Sequence, residues 1–374
     1  MTSTRRRLAV VHAHIIGQQQ QHEVVVELET AAAAGIITWF KGLFGTESDD
    51  AMGSGTGGQT SSDVDAAADT VAPLELTAEL LLDCKCQLGE GLFWDHEEQR
   101  VKFLDISGNK LYSLDHNSGD CVAWATPENP GTWAKCTTKE AGYIIAFATG
   151  FALFNPETGA TTGCDMGEIT INPANMGRLN DGRCDRQGRL VAGGYNDAGS
   201  RGEIKQSRCF QVDPTSLKVR QLLDFGICCA NSTCFSPDGT TMYFADSPEC
   251  KIWAFDYDVH TGDPSNQRTF IDFESRGLEG VPDGSTVDAT GGLWSCNIGA
   301  GKVTRYDPIS GAITCVVHVP NVSTPTCVAI GGAELDTLFI TSLTRKGGHE
   351  HEGGLFHVKL PPQFRGLVEP SFAY

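Results

Sequence analysis

Phe151–Ala160 reads FALFNPETGA: a short apolar run, an Asn, then a Pro-Glu-Thr-Gly turn. The same shape returns as LYSLDHNSGD from Leu111, CFQVDPTSLK from Cys209, IWAFDYDVHTGD from Ile252 and VTRYDPISGA from Val303, and LFHVKL from Leu355 closes the chain. Successive starts lie 40, 58, 43, 51 and 52 residues apart. Before each comes a second apolar run after a polar turn: VKFLD (Val101), YIIAF (Tyr143), RLVAG (Arg189), MYFAD (Met242), GLWSC (Gly292) and TLFIT (Thr337). A third run lies upstream of each. Runs rich in Val, Ile, Phe and Tyr, bounded by Gly, Asp and Asn, are strands. A single such unit cannot bury both faces of its sheet, so repeats at this period pack around an axis. The expectation is an all-β, six-bladed β-propeller over residues 77–374. A sandwich or an eight-stranded barrel has no reason to show six units in this order.

Residues 1–76 differ in kind and read as a mostly disordered, low-complexity N-terminal extension and linker. Gln18–Gln21 is a polar run, Ala31–Ala34 is a single-residue tract, and Ala51–Thr70 is built of Gly, Ser, Thr, Asp and Ala. Ile36–Phe44 (IITWFKGLF) is a short apolar interruption that suits a packing segment or an amphipathic anchor. The first 22 residues carry Arg5, Arg6 and Arg7 and no acid, a faint organelle-targeting pattern against a cytoplasmic expectation for the rest. No apolar run reaches the roughly 18 residues needed to span a bilayer, so no membrane span is expected.

Net charge is −19, and the only basic run is Arg5–Arg7. A nucleic-acid binder neutralises phosphates with a basic face, so this charge argues against one. The 14 cysteines are spread from Cys84 to Cys327 in a chain large enough to build a core, and no C-x-x-C pair occurs. They read as thiols buried as small hydrophobes rather than as a disulfide framework or a zinc site.

A propeller places the first residues of each innermost strand at one mouth of a central channel. Five residues before the turns at Asp95, Thr138, Asp185, Ser236, Asp288 and Gly331 stand Glu90, Trp133, Asn180, Asn231, Asp283 and Thr326. A layer that should be apolar is dominated by oxygen-bearing side chains. Two carboxylates buried together cost several kcal/mol unless a cation joins them, and all-oxygen ligation suits Ca, Mg or Mn, with Zn also admissible. Gly-Glu-Gly, Asn-Asp-Gly and Pro-Asp-Gly are also ordinary turn sequences, and only their shared register favours a metal. Trp133 is expected to narrow the mouth.

CKCQLGEGLFWD from Cys84, GRLNDGRCD from Gly177, ANSTCFSPDG from Ala230, GVPDGSTVD from Gly280 and the ending GLVEPSFAY resemble the senescence marker protein, regucalcin and gluconolactonase family over about Thr77–Tyr374. The resemblance implies a six-bladed propeller that opens a sugar (aldono-)lactone with one divalent metal ion. It implies Glu90, Asn231 and Asp283 as metal ligands, and Arg178, Asn180 and Asp181 as the substrate-binding set. Asp283 would then be the catalytic general base, with a small-molecule sugar lactone as substrate. Ser232 departs from the family's Gly after the ligand Asn. Ala198, beside Asn196 and Asp197, falls where some relatives carry an acidic substrate contact. A calcium-binding regulatory protein would use the same ligands, and another metal-dependent esterase could occupy the same fold. No G-x-S-x-G elbow supports a serine hydrolase. His349 and His351 in GGHEHEGG read as a solvated loop.

Overall fold

The computed structural model describes residues 72–171, 177–196 and 205–374. Arg5–Arg7, Ile36–Phe44 and Ala51–Thr70 lie outside the described residues. Among the described residues the strands form six sheets and no α-helix occurs. No helix among them is long and apolar enough to cross a membrane.

Five blades run in simple meander order from the axis outward. The first is Gly89–Asp95, Arg100–Asp105, Lys110–Leu114 and Cys121–Ala125. The inner strands of the next four are Pro130–Lys135, Arg178–Cys184, Ala230–Phe235 and Val281–Val287. The sixth blade has inner strand Pro325–Gly331, then Thr337–Ser342 and Leu355–Lys359, and takes its outer strand from Glu79–Leu82, upstream of the first blade. That exchange closes the ring, since both ends of the propeller now share one sheet. Leu74–Thr77 adds a parallel fifth strand to the fifth blade against Ile313–His318, so pairing begins three residues before Thr77.

The repeated turns have one local cause. Asp115 Oδ1 accepts the Asn117 and Ser118 amides, Asn155 those of Glu157 and Thr158, Asp258 those of His260 and Thr261, and Asp307 those of Ile309 and Ser310. An Asp or Asn side chain that caps its own turn needs no partner elsewhere in the chain. The turns ending the inner strands do likewise: Asp185 and Asp288 accept two amides each and also hold Arg189 and Arg305 through Nε at 2.6 Å.

The core lies between blades. Leu92, Trp94 and Phe103 of the first blade pack on Cys327, Ala329 and Phe339 of the sixth. Phe93, Leu104 and Leu111 pack on Trp133, Ile145 and Phe154 of the second. Fully burying each of these large side chains contributes about 1.5–3 kcal/mol. Ten of the 14 cysteines are buried, seven of them in these core layers, and all 14 are free thiols.

Candidate functional site

Each of the six inner strands carries a β-bulge near its start, where one extra residue opposes the neighbouring strand. The bulges fall after Glu90 and Asn231, and at Asn180 and Asp283 themselves. A bulge re-aims side chains, which is how a buried strand can turn several polar groups toward one axis. Gly91, the residue after Glu90, sits at φ 55, and Ser232, the residue after Asn231, at φ 56. The left-handed region costs a non-glycine residue roughly 1 kcal/mol or more. Ser232 compensates by donating its hydroxyl to Asp283 O at 2.7 Å and accepting from Ser285 Oγ at 2.9 Å. These two contacts accommodate a serine where the family carries glycine.

Glu90, Asn180, Asn231 and Asp283 are all buried, 3–6 % exposed. A hydrogen-bond chain runs through three blades. Arg178 donates to Asn180 Oδ1 at 2.6 Å, and Asn180 Nδ2 donates to Ala230 O at 2.8 Å and Asn231 Oδ1 at 3.2 Å. Asn231 Nδ2 donates to Ser247 Oγ at 2.7 Å, and Ser247 donates to Pro282 O at 2.6 Å, one residue before Asp283. With its amide nitrogen held by Ser247, Asn231 turns Oδ1 toward Asn180. Arg178 also lies 5.1 Å from the Tyr195 ring centroid, a stacking contact that orients the guanidinium.

Two carboxylates meet without a neutralising partner. Burial, then the nearby charge of Asp181, pushes the Glu90 carboxyl up to about 8. Burial, then Glu90, then Asp181, raises Asp283 well above the carboxylate range. Among the described residues neither Glu90 nor Asp283 is in an ion pair; the Gly91 amide donates to Glu90 Oε2 at 3.3 Å, the Gly284 amide lowers Asp283, and the charge of Arg178 relieves each of them less. A divalent cation fits this arrangement, since it would supply the missing positive charge to two carboxylates and one amide oxygen. Among the described residues no three His, Cys, Asp or Glu side chains converge, and a set of two carboxylates and one amide would not form such a group.

The remaining column residues go elsewhere. The second blade's bulge falls at Gly131, two residues before Trp133. The indole is therefore turned into the seam between blades one and two. It donates to Gly91 O at 2.8 Å, 5.2 Å from Phe93 and 4.6 Å from Tyr143 between ring centroids. Thr326 bonds Gly89 O and joins the last blade to the first. Asp181, next to Asn180 in its bulge, accepts the Thr233 amide at 2.9 Å and so ties blades three and four. Asp181 also borders a cavity of about 230 Å³ below the column, with Trp133, Lys135, Arg183 and Glu369. The C-terminal segment caps that end, where Arg183 pairs with Glu369 at 2.6 Å.

Ser247 was not among the sequence candidates; it stands in no motif and is brought in by the turn after Thr241–Asp246. Cys229 was not among the candidates either, yet its sulfur lies 3.5 Å from Asn231 Nδ2. Asp197 and Ala198 lie outside the described residues. His349 is exposed in a loop, as read from its composition.

Residues 88–344 match the SMP-30/Gluconolactonase/LRE-like region. An L-arabinolactonase from Azospirillum brasilense is 33% identical over 303 residues, covering 79% of this chain and 95% of that protein. A regucalcin from Xenopus laevis is 30% identical over 258 residues, covering 68% of this chain and 83% of that one. The crystal structure of a regucalcin from Agrobacterium tumefaciens, described as a calcium-binding protein, aligns with a TM-score of 0.71 at 28% identity, covering 81% of this chain and 100% of the other.

Proposed function

Since this chain belongs to the SMP-30/gluconolactonase/LRE-like family, we propose that it is a sugar lactonase that opens an aldonolactone to its aldonic acid, using one divalent cation held by Glu90, Asn231 and Asp283. The observation that carries the reading is the burial of Glu90 and Asp283 together, each raised by the other or by Asp181, beside an amide whose nitrogen is already engaged. Such a layer is costly as an apolar channel lining and useful as a cation site.

When bound, the cation supplies Lewis-acid polarisation of the lactone carbonyl and makes water more acidic at neutral pH. The chain's own residues do the rest. Asp283 accepts the proton of the attacking water at a carboxylate oxygen, and afterwards returns it to the ring oxygen that leaves. Asn180, held by Arg178 and by Ala230 O, keeps Asn231 in place and borders the attack position. Arg178 keeps N–H groups beyond its Asn180 and Leu179 contacts, and these suit sugar hydroxyls or a carboxylate. Asp181 belongs to the same strand; with its Oδ2 engaged by the Thr233 amide, its remaining carboxylate oxygen is the one that would contact the sugar.

The test is acid release from a panel of aldonolactones, with Ca, Zn, Mn or Mg added and with a chelator control. Turnover that depends on the cation, and is lost in Asp283→Asn and Asp283→Ala while both variants stay folded, supports the reading. Wild-type turnover in Asp283→Asn would refute the role of Asp283. Cation binding with no hydrolysis of any lactone would leave a calcium-binding protein of the regucalcin kind.

A further inference from the structure

We propose that Cys84 and Cys86 form a reversible covalent modification site, a dithiol that peroxide converts to a Cys84–Cys86 disulfide. The two residues lie in the link between Glu79–Leu82, the outer strand of the last blade, and Gly89–Asp95, the inner strand of the first. Side chains two apart on an extended strand point the same way but stand well separated. Here Lys85, between them, is at φ 51, a left-handed kink that folds the two sulfurs together. The Cys86 thiol donates to the Cys84 sulfur at 3.6 Å, and the Cys84 thiol donates onward to Gly353 O at 3.1 Å.

The backbone around the pair is pinned on both sides. Cys86 N donates to Gly353 O at 2.9 Å, Thr344 Oγ1 donates to Cys86 O at 2.8 Å, and the Gln87 and Leu88 amides both donate to the Asp105 carboxylate at 2.9 Å. The sulfurs need only close from 3.6 Å to about 2.05 Å by side-chain rotation. The two thiols are also unlike. Cys84 is partly buried and Cys86 is fully buried. The hydrogen bond from Cys86 lowers the Cys84 thiol, while the same contact and burial raise Cys86. A partly exposed thiol whose pKa is lowered, beside a buried one whose pKa is raised, suits the division of labour between an attacking and a resolving cysteine.

The chemistry balances with peroxide as the oxidant. The Cys84 sulfur attacks a peroxide oxygen, the O–O bond breaks, and the departing hydroxide takes the thiol proton to leave a sulfenic acid and water. The Cys86 sulfur then attacks the Cys84 sulfur; the S–S bond forms, the S–O bond breaks, and hydroxide leaves with the Cys86 proton as a second water. Two thiols lose two electrons in all and one peroxide gains them. A dithiol reductant reverses the step by thiol–disulfide exchange.

The test uses the full chain, reduced, freed of reductant, treated with graded hydrogen peroxide, then alkylated and digested with a protease that does not cut at Lys85. The expected peptide carries neither alkyl group, is lighter than the reduced peptide by two hydrogen masses, and becomes alkylatable after dithiothreitol. In Cys86→Ser the reaction stops at a Cys84 sulfenic acid trapped by dimedone, and in Cys84→Ser the Cys86 thiol stays alkylatable. Cys121, an exposed thiol of the same blade, is the internal control. The proposal is overturned if Cys84 and Cys86 both remain alkylatable at a dose that oxidises Cys121, or if Cys84 is found bonded to Cys121 instead.

Discussion

Replacing Glu90 by Gln should make the cation-free protein more stable, by an amount that grows as pH rises from about 4.5 to about 8. The Glu90 carboxyl stands at about 8 in the folded chain against an ordinary 4.5. An acid whose folded value is raised binds its proton more tightly when folded. Its contribution is therefore present in full below about 4.5 and is lost as pH climbs to about 8. At about 1.4 kcal/mol per pH unit the ceiling on that loss is roughly 5 kcal/mol. Spread over a propeller of roughly 300 residues, whose unfolding entropy is about 0.6 kcal/mol per degree, the ceiling is about 8 °C in Tm. Gln keeps the shape and removes the charge, and it also relieves Asp283, for which Glu90 is the largest charge neighbour. In excess chelator, scanning calorimetry should find Glu90→Gln several degrees above wild type at pH 8.5 and within about a degree of it at pH 5. The other carboxylates that govern acid unfolding cancel in that difference. Divalent cation at a hundred times its Kd should then return about 2.7 kcal/mol to the wild type and nothing to the variant. A variant that is less stable than wild type at pH 8.5 under chelation, or a difference that does not change with pH, would refute the account of Glu90 as an uncompensated charge awaiting a cation.

Ser247→Ala removes the acceptor that fixes the Asn231 amide; cation affinity by isothermal titration should fall about 10- to 100-fold, with Tm in chelator changed by much less. At Ser232, Ala keeps the left-handed backbone and loses both hydroxyl contacts, so urea unfolding should show a loss of about 1–2 kcal/mol, whereas Ser232→Gly exchanges the lost contacts for relieved strain and should lie within about 0.5 kcal/mol of wild type.

Most of the architecture was legible because its causes are local. The turns at Asp115, Asn155, Asp258 and Asp307 are capped by the residue that names them in the sequence, and the apolar runs before them alternate over few residues. Reading the six repeats therefore yielded the six blades and the strand on which each column residue stands. Ring closure was different. Nothing in Glu79–Leu82 says that it pairs with Leu355–Lys359, more than 270 residues away, because the pairing is made by the geometry of six blades meeting and not by any neighbour in the chain. The same holds for Leu74–Thr77, a strand only in the presence of Ile313–His318.

At the site, residue types alone determined that acids and amides share a layer, since Glu90, Asn180, Asn231 and Asp283 fall at one offset from turns that the chain itself defines. Only the tertiary structure decided which of that layer face one another. A bulge at Gly131, two residues before the column position instead of at it or just after it, goes with an indole in the seam between blades, and counting from the turn cannot see it. Ser247, Cys229 and the chain of bonds from Arg178 to Pro282 O join residues far apart in sequence. Their contacts depend on distances of a few tenths of an ångström between blades, and that is information a linear pattern does not hold.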